Sequence, residues 1–333
     1  MRKIKIAQIG TSDNSHGNDI WKTLKELGDI FEICGYAMPE NEREKFPHRM
    51  KEFEGYIELT VDEIMQNPEI EAVIIETEEI YLTKYATLAA KYKKHIHMEK
   101  PGGTNLSNFE KLVDMVKENN KVFHIGYMYR YNPYVMELKE KIKNGELGDI
   151  MSVEAQMNCE HTDDLRKWLK NFPGGIMFFL GCHLLDLIYS IQGEPEEIIP
   201  LNCSTGKNDI HTEDFGMVAL KYKNGVSFAK TNDTQIGGFE RRYLAVSGSK
   251  ATVELCPLET FVEGFTMYTE KKEYTEINRE NNGVKTQSEP RDRYKAMIEG
   301  FASYVRGDSE NPWNYDYELG LYKLILKGCG VKL

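Results

Sequence analysis

The chain has 333 residues, of which 41% are hydrophobic and 29% are charged, and its formal net charge at pH 7 is −11. The composition is that of a globular protein rather than a disordered or fibrous one, and the length predicts two domains of roughly 100 to 200 residues each. An acidic chain without a basic stripe repels a phosphate backbone, which argues against a nucleic acid partner.

Neither the N-terminus nor the cysteines carry a targeting or framework signal. The start, MRKIKIAQIG, enters an alternating strand directly, and no apolar run reaches membrane-spanning length. The six cysteines are widely spread and form no C-x-x-C pair, which predicts free, buried thiols without a disulfide framework or zinc cage. We therefore expect a cytoplasmic protein with no membrane contact.

Up to about residue 126 the chain alternates strand and helix patterns. The strands read as IKIAQIG, FEICGY, AVIIE, HIHM and VFHIG, and helical stretches separate them. This alternation predicts a parallel sheet covered by crossover helices.

The first strand is followed by a loop and helix in the order that a dinucleotide site needs. The sequence IGTSDNSHGNDIWKTLKEL places a glycine and a polar loop before a helix, whose N-terminal amides attract a pyrophosphate. The G-x-G-x-x-G fingerprint is incomplete, so an ordinary loop capped by Asn14 or Ser15 is the alternative. The candidate cofactor-binding residues of this loop are Gly10, Thr11, Ser12, Asn14 and Ser15.

An acidic residue is expected after the second strand to hold the adenosine ribose hydroxyls. Glu40 lies a few residues later than expected, and no arginine obviously accommodates a 2′-phosphate. The cofactor is therefore NAD or NADP, with a slight preference for NAD.

Local signals predict where several helices begin. Thr60-x-x-Glu63 and Ser107-x-x-Glu110 both fit a capping box, in which each side chain satisfies an unpaired backbone donor. Both precede apolar positions at helical spacing.

A helix is also predicted to link the two halves of the chain. In RYNPYVMELKEKIKNGELGDI, Asn132 suits the N-cap, Pro133 suits the first helical position and Gly145 suits the exit.

From about residue 148 extended segments dominate. They read as DIMSVEAQMNC, EEIIPLNCST, DFGMVALKY, VSFAKTND, RRYLAVSG and TVELC, and Asn224-Gly225 is a hairpin turn signal between two of them. One helix is expected around 176–191, and two more are expected near 291–305 and 315–328. This order predicts an α+β domain with an antiparallel sheet.

The segment KKHIHMEKPGGTNLSNFEKLVDMVKENNKVFHIGYMYRYNP resembles the glucose-fructose oxidoreductase and inositol dehydrogenase family (Gfo/Idh/MocA). The most specific mark is Glu99-Lys100-Pro101 after a strand. The likeness continues through GELGDI and GGIMFFLGCHLLDLI to the last helices, so it covers essentially the whole chain.

The resemblance implies an α/β protein with two domains. Residues 1–126 would form a doubly wound Rossmann domain, and residues 127–333 a substrate-binding and oligomerisation domain of α+β type with an open, mostly antiparallel sheet. Similar proteins oxidise a sugar or cyclitol hydroxyl, or reduce the matching ketone, with NAD or NADP.

Hydride transfer from a carbinol carbon leaves a hydroxyl proton, so a general base is needed beside the cofactor. A histidine in GGIMFFLGCHLLDLI is by itself more often a core residue, but the resemblance indicates that His183 is the acid/base. Lys100, at the carboxyl edge of the parallel sheet, would polarise the reacting oxygen. Asp186 lies three residues after His183 and either orients it or makes a structural hydrogen bond.

Further site residues follow from the same resemblance. Thr77, Glu99 and Pro101 would shape the cofactor edge, and Lys100 would contact the nicotinamide ribose. The substrate candidates also have structural alternatives. For Arg130 the alternative is an ion pair between domains, and for Tyr127 and Tyr129 it is packing as buried aromatics. For His161 and His211 it is an exposed position in a loop. No His/Cys/Asp/Glu group shows metal-ligand spacing, so no metal is expected. The candidate substrate contacts are Tyr127, Arg130, His161 and His211.

The sequence departs from the family at two places. Phe179 stands where the family usually has an aspartate, and Glu76, Glu78 and Glu79 lie in a turn that is usually neutral. These departures motivate an alternative, a non-catalytic nucleotide- or sugar-binding sensor on the same scaffold. A glycosidase-like enzyme that uses tightly held NAD for transient oxidation shares the residues of the dehydrogenase hypothesis.

A homodimer or homotetramer is expected. Strands such as DFGMVALKY offer apolar side chains on both faces of an open sheet, so one face is left to be covered by another copy.

Overall fold

The computed structural model describes residues 2–264, 266–275 and 283–333, which form two compact units. The first unit contains the chain up to Tyr127 together with Tyr294–Tyr322, and the second contains Met128–Arg293 and Lys323–Leu333. The expected functional domains, 1–126 and 127–333, stay a prediction. The compact units differ from them at the C-terminal end, because the helix that begins at Lys295 packs on the helix that begins at Gly17.

The α-helices of the described chain are α1 Gly17–Glu26, α2 Glu42–Lys45, α3 Val61–Gln66, α4 Leu82–Lys91, α5 Leu106–Glu118, α6 Pro133–Lys143, α7 Asp163–Trp168, α8 Ile176–Phe179, α9 Gly181–Gln192, α10 Lys295–Arg306 and α11 Tyr315–Gly328. Short 3₁₀ helices lie at Pro47–Phe53, Met128–Tyr131, Leu169–Asn171, Lys207–Asp209 and Phe239–Arg241. None of the described helices combines the length and the apolar content that crossing a membrane requires.

The strands are β1 Ile4–Ile9, β2 Phe31–Ala37, β3 Ala72–Ile75, β4 His95–Met98, β5 Phe123–Ile125, β6 Ile150–Asn158, β7 Glu197–Pro200, β8 Phe215–Tyr222, β9 Gly225–Asn232, β10 Tyr243–Gly248, β11 Thr252–Leu255, β12 Thr260–Glu263, β13 Thr266–Tyr268, β14 Glu270–Tyr274, β15 Val284–Gln287 and β16 Arg291–Asp292.

The first unit is built on a five-stranded parallel sheet in the order β2-β1-β3-β4-β5. Strands β3 and β5 are buried throughout, as expected for a parallel sheet with helices on both faces. This confirms the predicted Rossmann-type doubly wound domain. An isolated parallel bridge between Tyr36 and Glu58 continues the sheet beyond β2.

The strand order reverses between β1 and β3, and this switch point decides where a ligand can bind. In open α/β sheets the crevice for ligands lies outside the carboxyl ends of the strands at such a point. The turns after β1 and β3 therefore frame the candidate cofactor site.

Helix capping agrees with the sequence at α3 and differs at α5. Thr60 and Glu63 form the complete capping box that was predicted. The box predicted at Ser107 and Glu110 is wrong, because α5 begins at Leu106 and the Asn105 side chain accepts from the Asn108 amide at 2.9 Å. Asn105 precedes Ser107 and satisfies a backbone donor of the first turn, so the helix starts earlier.

The predicted linking helix is confirmed as α6. The Asn132 side chain accepts from the Tyr134 amide at 3.0 Å, Pro133 is the first helical residue, and Gly145 follows the helix with a positive φ of 73°. Asn132 Nδ2 also donates to Thr269 Oγ1 at 2.8 Å, which ties the start of α6 to the sheet region of its own unit.

The second unit contains an eight-stranded sheet in the order β15-β14-β11-β10-β6-β9-β8-β7. Its pairs are antiparallel except β6 and β9, which run parallel, so the expected mostly antiparallel sheet is confirmed. The Asn224-Gly225 turn joins β8 to β9 as predicted. Helix α9 packs against β6 and β9 and covers the centre of the sheet.

Some elements of the second unit were missed or misplaced. Strands β12 to β16 were not predicted, and the helix expected from about residue 291 begins at Lys295, because Arg291 and Asp292 pair with β13 instead. The helix expected around 176–191 is interrupted at Leu180, which divides it into α8 and α9.

Candidate functional site

The turns after β1 and β3 touch each other at Gly10 and Thr77. Gly10 has a φ of +84°, and a β-carbon at this position would lie 2.4 Å from Thr77 Cγ2, so only glycine fits. Gln8 Nε2, which is buried, donates to the carbonyls of Gly10 and Gly17 at 3.0 Å each and fixes both ends of the loop.

The loop between β1 and α1 is held by its own serines. The Ser12 amide donates to Ser15 Oγ, and the Ser15 amide donates to Ser12 Oγ, both at 3.0 Å. Helix α1 begins at Gly17 with His16 as its N-cap and without a cap from the His16 side chain, so the suggested cap Asn14 is wrong. Ser15 lies one residue before the N-cap, but its Oγ accepts from the Gly17 amide at 3.2 Å, so Ser15 does satisfy a donor at the start of the helix.

Arg49 is a functional candidate that the sequence did not indicate. The 3₁₀ helix Pro47–Phe53 places it on the loop, where its Nε donates to Thr11 Oγ1 at 3.0 Å and its Nη2 donates to the Ser15 carbonyl at 3.3 Å. No local motif marks an arginine more than thirty residues away from the loop that it contacts. It brings a positive charge to the position where phosphates are expected.

The acidic turn after β3 carries less charge than its sequence implies. Glu76 and Glu79 are 0% exposed, and burial raises the pKa of Glu76 well above its ordinary value and that of Glu79 to about 8. Glu78 pairs with Lys45 Nζ at 3.0 Å. Burial therefore favours the neutral forms of Glu76 and Glu79, and Glu78 is paired with a cation, which reduces the repulsion expected toward a pyrophosphate.

Glu42 behaves in the same way. It is 0% exposed, its Oε2 accepts from the Thr11 amide at 3.2 Å, and burial raises its pKa to about 8. Glu40, the residue considered for the ribose hydroxyls, accepts from Tyr85 Oη at 2.6 Å and forms an ion pair with Lys84.

The Glu99-Lys100-Pro101 triplet follows β4 at the carboxyl edge of the sheet. Lys100 is 2% exposed, and its Nζ lies 3.5 Å from Glu99 Oε1. Glu99 Oε2 lies 2.9 Å from His16 Nδ1. Burial opposes ionisation of Glu99, but His16 and Lys100 together hold its pKa below its usual range, so this carboxylate stays charged.

A second pair of histidines lies behind Glu99 and was also missed. The Nδ1 atoms of His97 and His124 are 2.6 Å apart, and His97 Nε2 is 3.8 Å from Glu76 Oε1. Burial lowers the pKa of His97 to about 4, so its ring is neutral at pH 7. Both histidines lie in strand sequences that indicated only a buried sheet.

His183 lies in the first turn of α9 rather than in the middle of one helix over 176–191. It is 2% exposed, and its ring makes an edge-on contact with the Tyr129 ring at a centroid distance of 5.2 Å. Gly175 has a φ of +47°, and a β-carbon there would lie 2.2 Å from the Glu213 carbonyl oxygen. The Gly174-Gly175 pair thus allows the close turn that leads into α8 and α9.

Asp186 is held by Arg130. Arg130 Nε lies 3.0 Å from both carboxylate oxygens of Asp186, and its Nη2 donates to Oδ1 at 2.8 Å. Arg130 therefore forms an ion pair, which was the structural alternative for this residue. Both partners belong to the second unit, so the pair does not join two domains as expected. The Asp186 carboxylate therefore interacts with the Arg130 guanidinium through this ion pair.

The two tyrosines before Arg130 are buried. Tyr127 is 1% exposed and Tyr129 is 2% exposed. Tyr129 Oη donates to Glu259 Oε1 at 2.5 Å, and this carboxylate also accepts from Arg242 at 2.5 Å and from Arg293 at 3.0 Å. The group anchors Tyr129 beneath His183.

The two loop histidines have different surroundings. The side chain of His211 is 75% exposed and lies 3.1 Å from Asp209, so the exposed-loop alternative describes it. His161 is close to Cys159 and Asp233, and the donor atoms of these three residues lie within 4.8 Å of one another. The sequence carried no sign of this grouping, because Asp233 is far from the other two residues in the chain.

Hydrogen bonding sets the charge state of His161. Burial lowers its pKa, but hydrogen bonds with Asp233 and Cys159 outweigh this effect and raise the pKa to about 9. The six cysteines are free, as predicted, but only Cys159, Cys182 and Cys329 are buried, since Cys34 and Cys256 are half-buried and Cys203 is exposed.

The first unit fits a nicotinamide dinucleotide. The glycine-only contact between Gly10 and Thr77 lies at the switch point, Arg49 adds a positive charge to the loop, and Glu42 bonds the Thr11 amide as a neutral group. These amides, hydroxyls and cations are groups that would suit a pyrophosphate and a ribose at this edge.

Comparison with known proteins agrees with both units. A family model described as the oxidoreductase family, NAD-binding Rossmann fold, matches residues 4–127, and a GFO/IDH/MocA C-terminal domain model matches residues 135–254. The myo-inositol 2-dehydrogenase of Thermotoga maritima is 25% identical over 223 residues, which are 63% of this chain and 64% of that protein. Across similar curated proteins, the matched region spans 54% to 64% of the relative's length.

Solved structures share the fold over nearly the whole chain. An aldose-aldose oxidoreductase from Caulobacter crescentus, complexed with glycerol, is 18% identical with a TM-score of 0.78 and covers 100% of both chains. A 3-ketoreductase from Actinomadura kijaniata, in complex with NADP and TDP-benzene, is 15% identical with a TM-score of 0.79 and covers 97% of this chain and 96% of that one. Since the two family models together match more than half of the sequence, the chain belongs to the Gfo/Idh/MocA family of NAD(P)-binding oxidoreductases.

Proposed function

We propose that the protein is an NAD(P)-dependent oxidoreductase that transfers a hydride between nicotinamide and a CH–OH carbon of a sugar, cyclitol or related polyol. The observation that carries this proposal is Lys100, an ammonium 2% exposed at the carboxyl edge of the dinucleotide-binding sheet. Burying a cation costs free energy, and strongly buried charges in such crevices are typical of functional sites.

The cofactor is held by the loop after β1 in this proposal. Thr11, Ser12, Asn14 and Ser15 supply amides and hydroxyls, and Arg49 supplies a positive charge for the phosphates. Thr77, Glu99 and Pro101 shape the edge on which the nicotinamide half rests. When bound, NAD or NADP would supply the hydride acceptor or donor, and NAD remains slightly preferred over NADP.

His183 exchanges the proton in this proposal. On oxidation it accepts the hydroxyl proton, and on reduction it returns that proton to the oxygen. Lys100 donates a hydrogen bond to the reacting oxygen and stabilises the negative charge that develops there. Asp186 and Arg130 are positioning residues, because their ion pair fixes the helical turn that carries His183.

The substrate class is supported by the names of similar proteins, which include a myo-inositol 2-dehydrogenase and an aldose-aldose oxidoreductase. His161 and Tyr127 remain proposed substrate contacts, and His211 is no longer favoured because its side chain is 75% exposed. We further propose a cytoplasmic homo-oligomer whose partners are small molecules and further copies of the chain.

The proposal is tested by titrating the purified protein with NADH and NADPH, followed by nicotinamide fluorescence, and then by assaying a panel of polyols. We expect saturable binding of at least one cofactor and turnover of at least one polyol. Lys100→Met and His183→Ala should lower turnover by about 10²–10⁴-fold, the usual contribution of a positioned acid/base or oxyanion donor.

The control is Lys91→Met, which removes an exposed lysine at the last residue of α4 and should leave turnover unchanged. Full turnover in His183→Ala would remove the proposed mechanism. Substrate conversion without net cofactor reduction would instead assign the glycosidase-like chemistry.

A further inference from the structure

Three donor side chains meet at the ends of two parallel strands in the second unit. Cys159 directly follows β6, and Asp233 directly follows β9, where Asn158 pairs with Asn232. The main chain continues this pairing, since the Cys159 amide donates to the Asn232 carbonyl at 2.9 Å and the His161 amide donates to the Asp233 carbonyl at 3.0 Å. The backbone therefore fixes all three positions.

The separations of the donor atoms suit a tetrahedral metal ion. Cys159 Sγ lies 3.4 Å from His161 Nδ1 and 4.0 Å from Asp233 Oδ1. Ligands bound to zinc at about 2.0–2.3 Å are themselves separated by roughly 3.3–3.8 Å at the tetrahedral angle. His161 and Asp233 are in direct hydrogen-bond contact, and an ion would replace that hydrogen bond with two metal bonds.

A second observation points to a missing ligand at the same place. Asp233 is 0% exposed, and among the described residues its Oδ2 has no hydrogen-bond partner. A buried carboxylate oxygen left without a partner is costly, and a cation bound beside it would supply both charge and coordination.

We propose that Cys159, His161 and Asp233 form a binding site for a divalent ion of the zinc type, with a fourth coordination position open. The donor set selects the metal: a thiolate and an imidazole disfavour Mg²⁺ and Ca²⁺, and a thiolate with a carboxylate neutralises the two charges of the ion. The side chain of His161 is 26% exposed, which gives an ion and a fourth ligand access.

The fourth position indicates what the site does. Three protein ligands with one open position are typical of catalytic zinc, which polarises an alcohol or carbonyl oxygen. The Phe179 ring, 6.4 Å from the His161 ring between centroids, forms an apolar wall beside this position. This catalytic role rests on the proposed function, whereas metal binding itself does not.

The test uses metal-stripped full-length protein without cofactor or substrate, so that its outcome is independent of the proposed activity. The protein is dialysed against zinc chloride and its bound zinc is measured by atomic emission. We expect one zinc per chain, and cobalt in the same site should give a sulfur-to-cobalt charge-transfer band. Cys159→Ser, His161→Gln and Asp233→Asn should each weaken zinc binding by more than about 100-fold.

The matched control is Cys203→Ser, which removes an exposed cysteine of the same unit and should keep both the zinc and the cobalt band. Zinc content in the wild type no higher than in Cys159→Ser overturns the proposal. Rapid alkylation of Cys159 that zinc does not slow also overturns it, and would assign a thiolate–imidazolium pair instead. His161→Gln changes a partly exposed side chain, so it gives an answer even where the buried variants fail to fold.

Discussion

Individual carboxyl groups at the edge of the first sheet differ in charge although they are close in space. Glu99 is ionised because His16 and Lys100 compensate it, whereas burial keeps Glu76 and Glu79 neutral. The protein thus places one negative charge beside Lys100 rather than three. Acidic residues whose neutral form is favoured by burial are compatible with a pocket for an anionic cofactor.

The buried Arg130–Asp186 pair is the corresponding feature at residue scale in the second unit. Both side chains are 1% exposed, and the guanidinium makes two-pronged contact with the carboxylate. Removing one partner of such a pair leaves an uncompensated buried charge, which typically costs about 3–5 kcal/mol. The ion pair with Arg130 therefore gives Asp186 a structural role on α9, and this role does not require the aspartate to take part in a reaction.

Glu79 makes the stability of the protein depend on pH. Its pKa is raised from 4.5 to about 8 in the folded chain, so its contribution to the free energy of unfolding is complete below pH 4.5 and is lost as pH rises through about 8. We expect Glu79→Gln to flatten the decline of stability over this range by up to about 1.4 kcal/mol per pH unit. Urea unfolding at a series of pH values measures the change.

The control for this prediction is Glu78→Gln, which removes a carboxylate that pairs with Lys45 Nζ at 3.0 Å. It should leave the slope as it is in the wild type. Equal slopes for the wild type and Glu79→Gln would show that the buried carboxyl group ionises at its ordinary pKa.

At the scale of elements, the start of α5 distinguishes two candidate caps. The Asn105 side chain accepts from the Asn108 amide at 2.9 Å, and Ser107 is an exposed residue inside the helix. We expect Asn105→Ala to lower the free energy of unfolding by about 1 kcal/mol, the usual cost of losing an N-cap. Ser107→Ala should change it by less than about 0.5 kcal/mol.

Denaturant unfolding of the two alanine variants, side by side, measures the difference. Thr60→Ala, at the confirmed capping box of α3, serves as the positive control and should resemble Asn105→Ala. A larger loss for Ser107→Ala than for Asn105→Ala would restore the capping box that the sequence suggested.

At the scale of the whole molecule, one face of the eight-stranded sheet carries partly exposed apolar side chains on β7, β8 and β9. Ile199, Ala219 and Phe228 are cross-strand neighbours on β7, β8 and β9. Ile199 is 45% exposed, and alternate residues of β8 are only half-buried. Contiguous apolar surface of this kind is typical of protein interfaces, and we expect a second copy of the chain to cover it.

Light scattering coupled to size exclusion tests this expectation at micromolar concentration. The wild type should have the mass of a dimer or tetramer, and Ile199→Glu combined with Ala219→Glu should have a lower mass. Ile57→Glu, the same change at a 67% exposed isoleucine of the first unit, should leave the mass unchanged. A monomeric wild type would contradict the expectation.

Short-range signals in the sequence were enough to predict the main features of the architecture. Alternation of strands and helices predicted the parallel sheet, Asn224-Gly225 predicted the hairpin, and Asn132 with Pro133 predicted the start of α6. These features depend on residues a few positions apart, whose backbone preferences persist in the folded chain. Strands β12 to β16 were missed because they are short and carry little apolar alternation.

The sequence by itself determined the family, the sheet types and the positions of Lys100 and His183 on their elements. Only the tertiary structure decided the charge of Glu76 and Glu79, the placement of Arg49 on the dinucleotide loop, and the grouping of Cys159 and His161 with Asp233. The physical reason is that burial and the register between β6 and β9 depend on contacts between residues distant in the chain, and these contacts leave no local pattern to read.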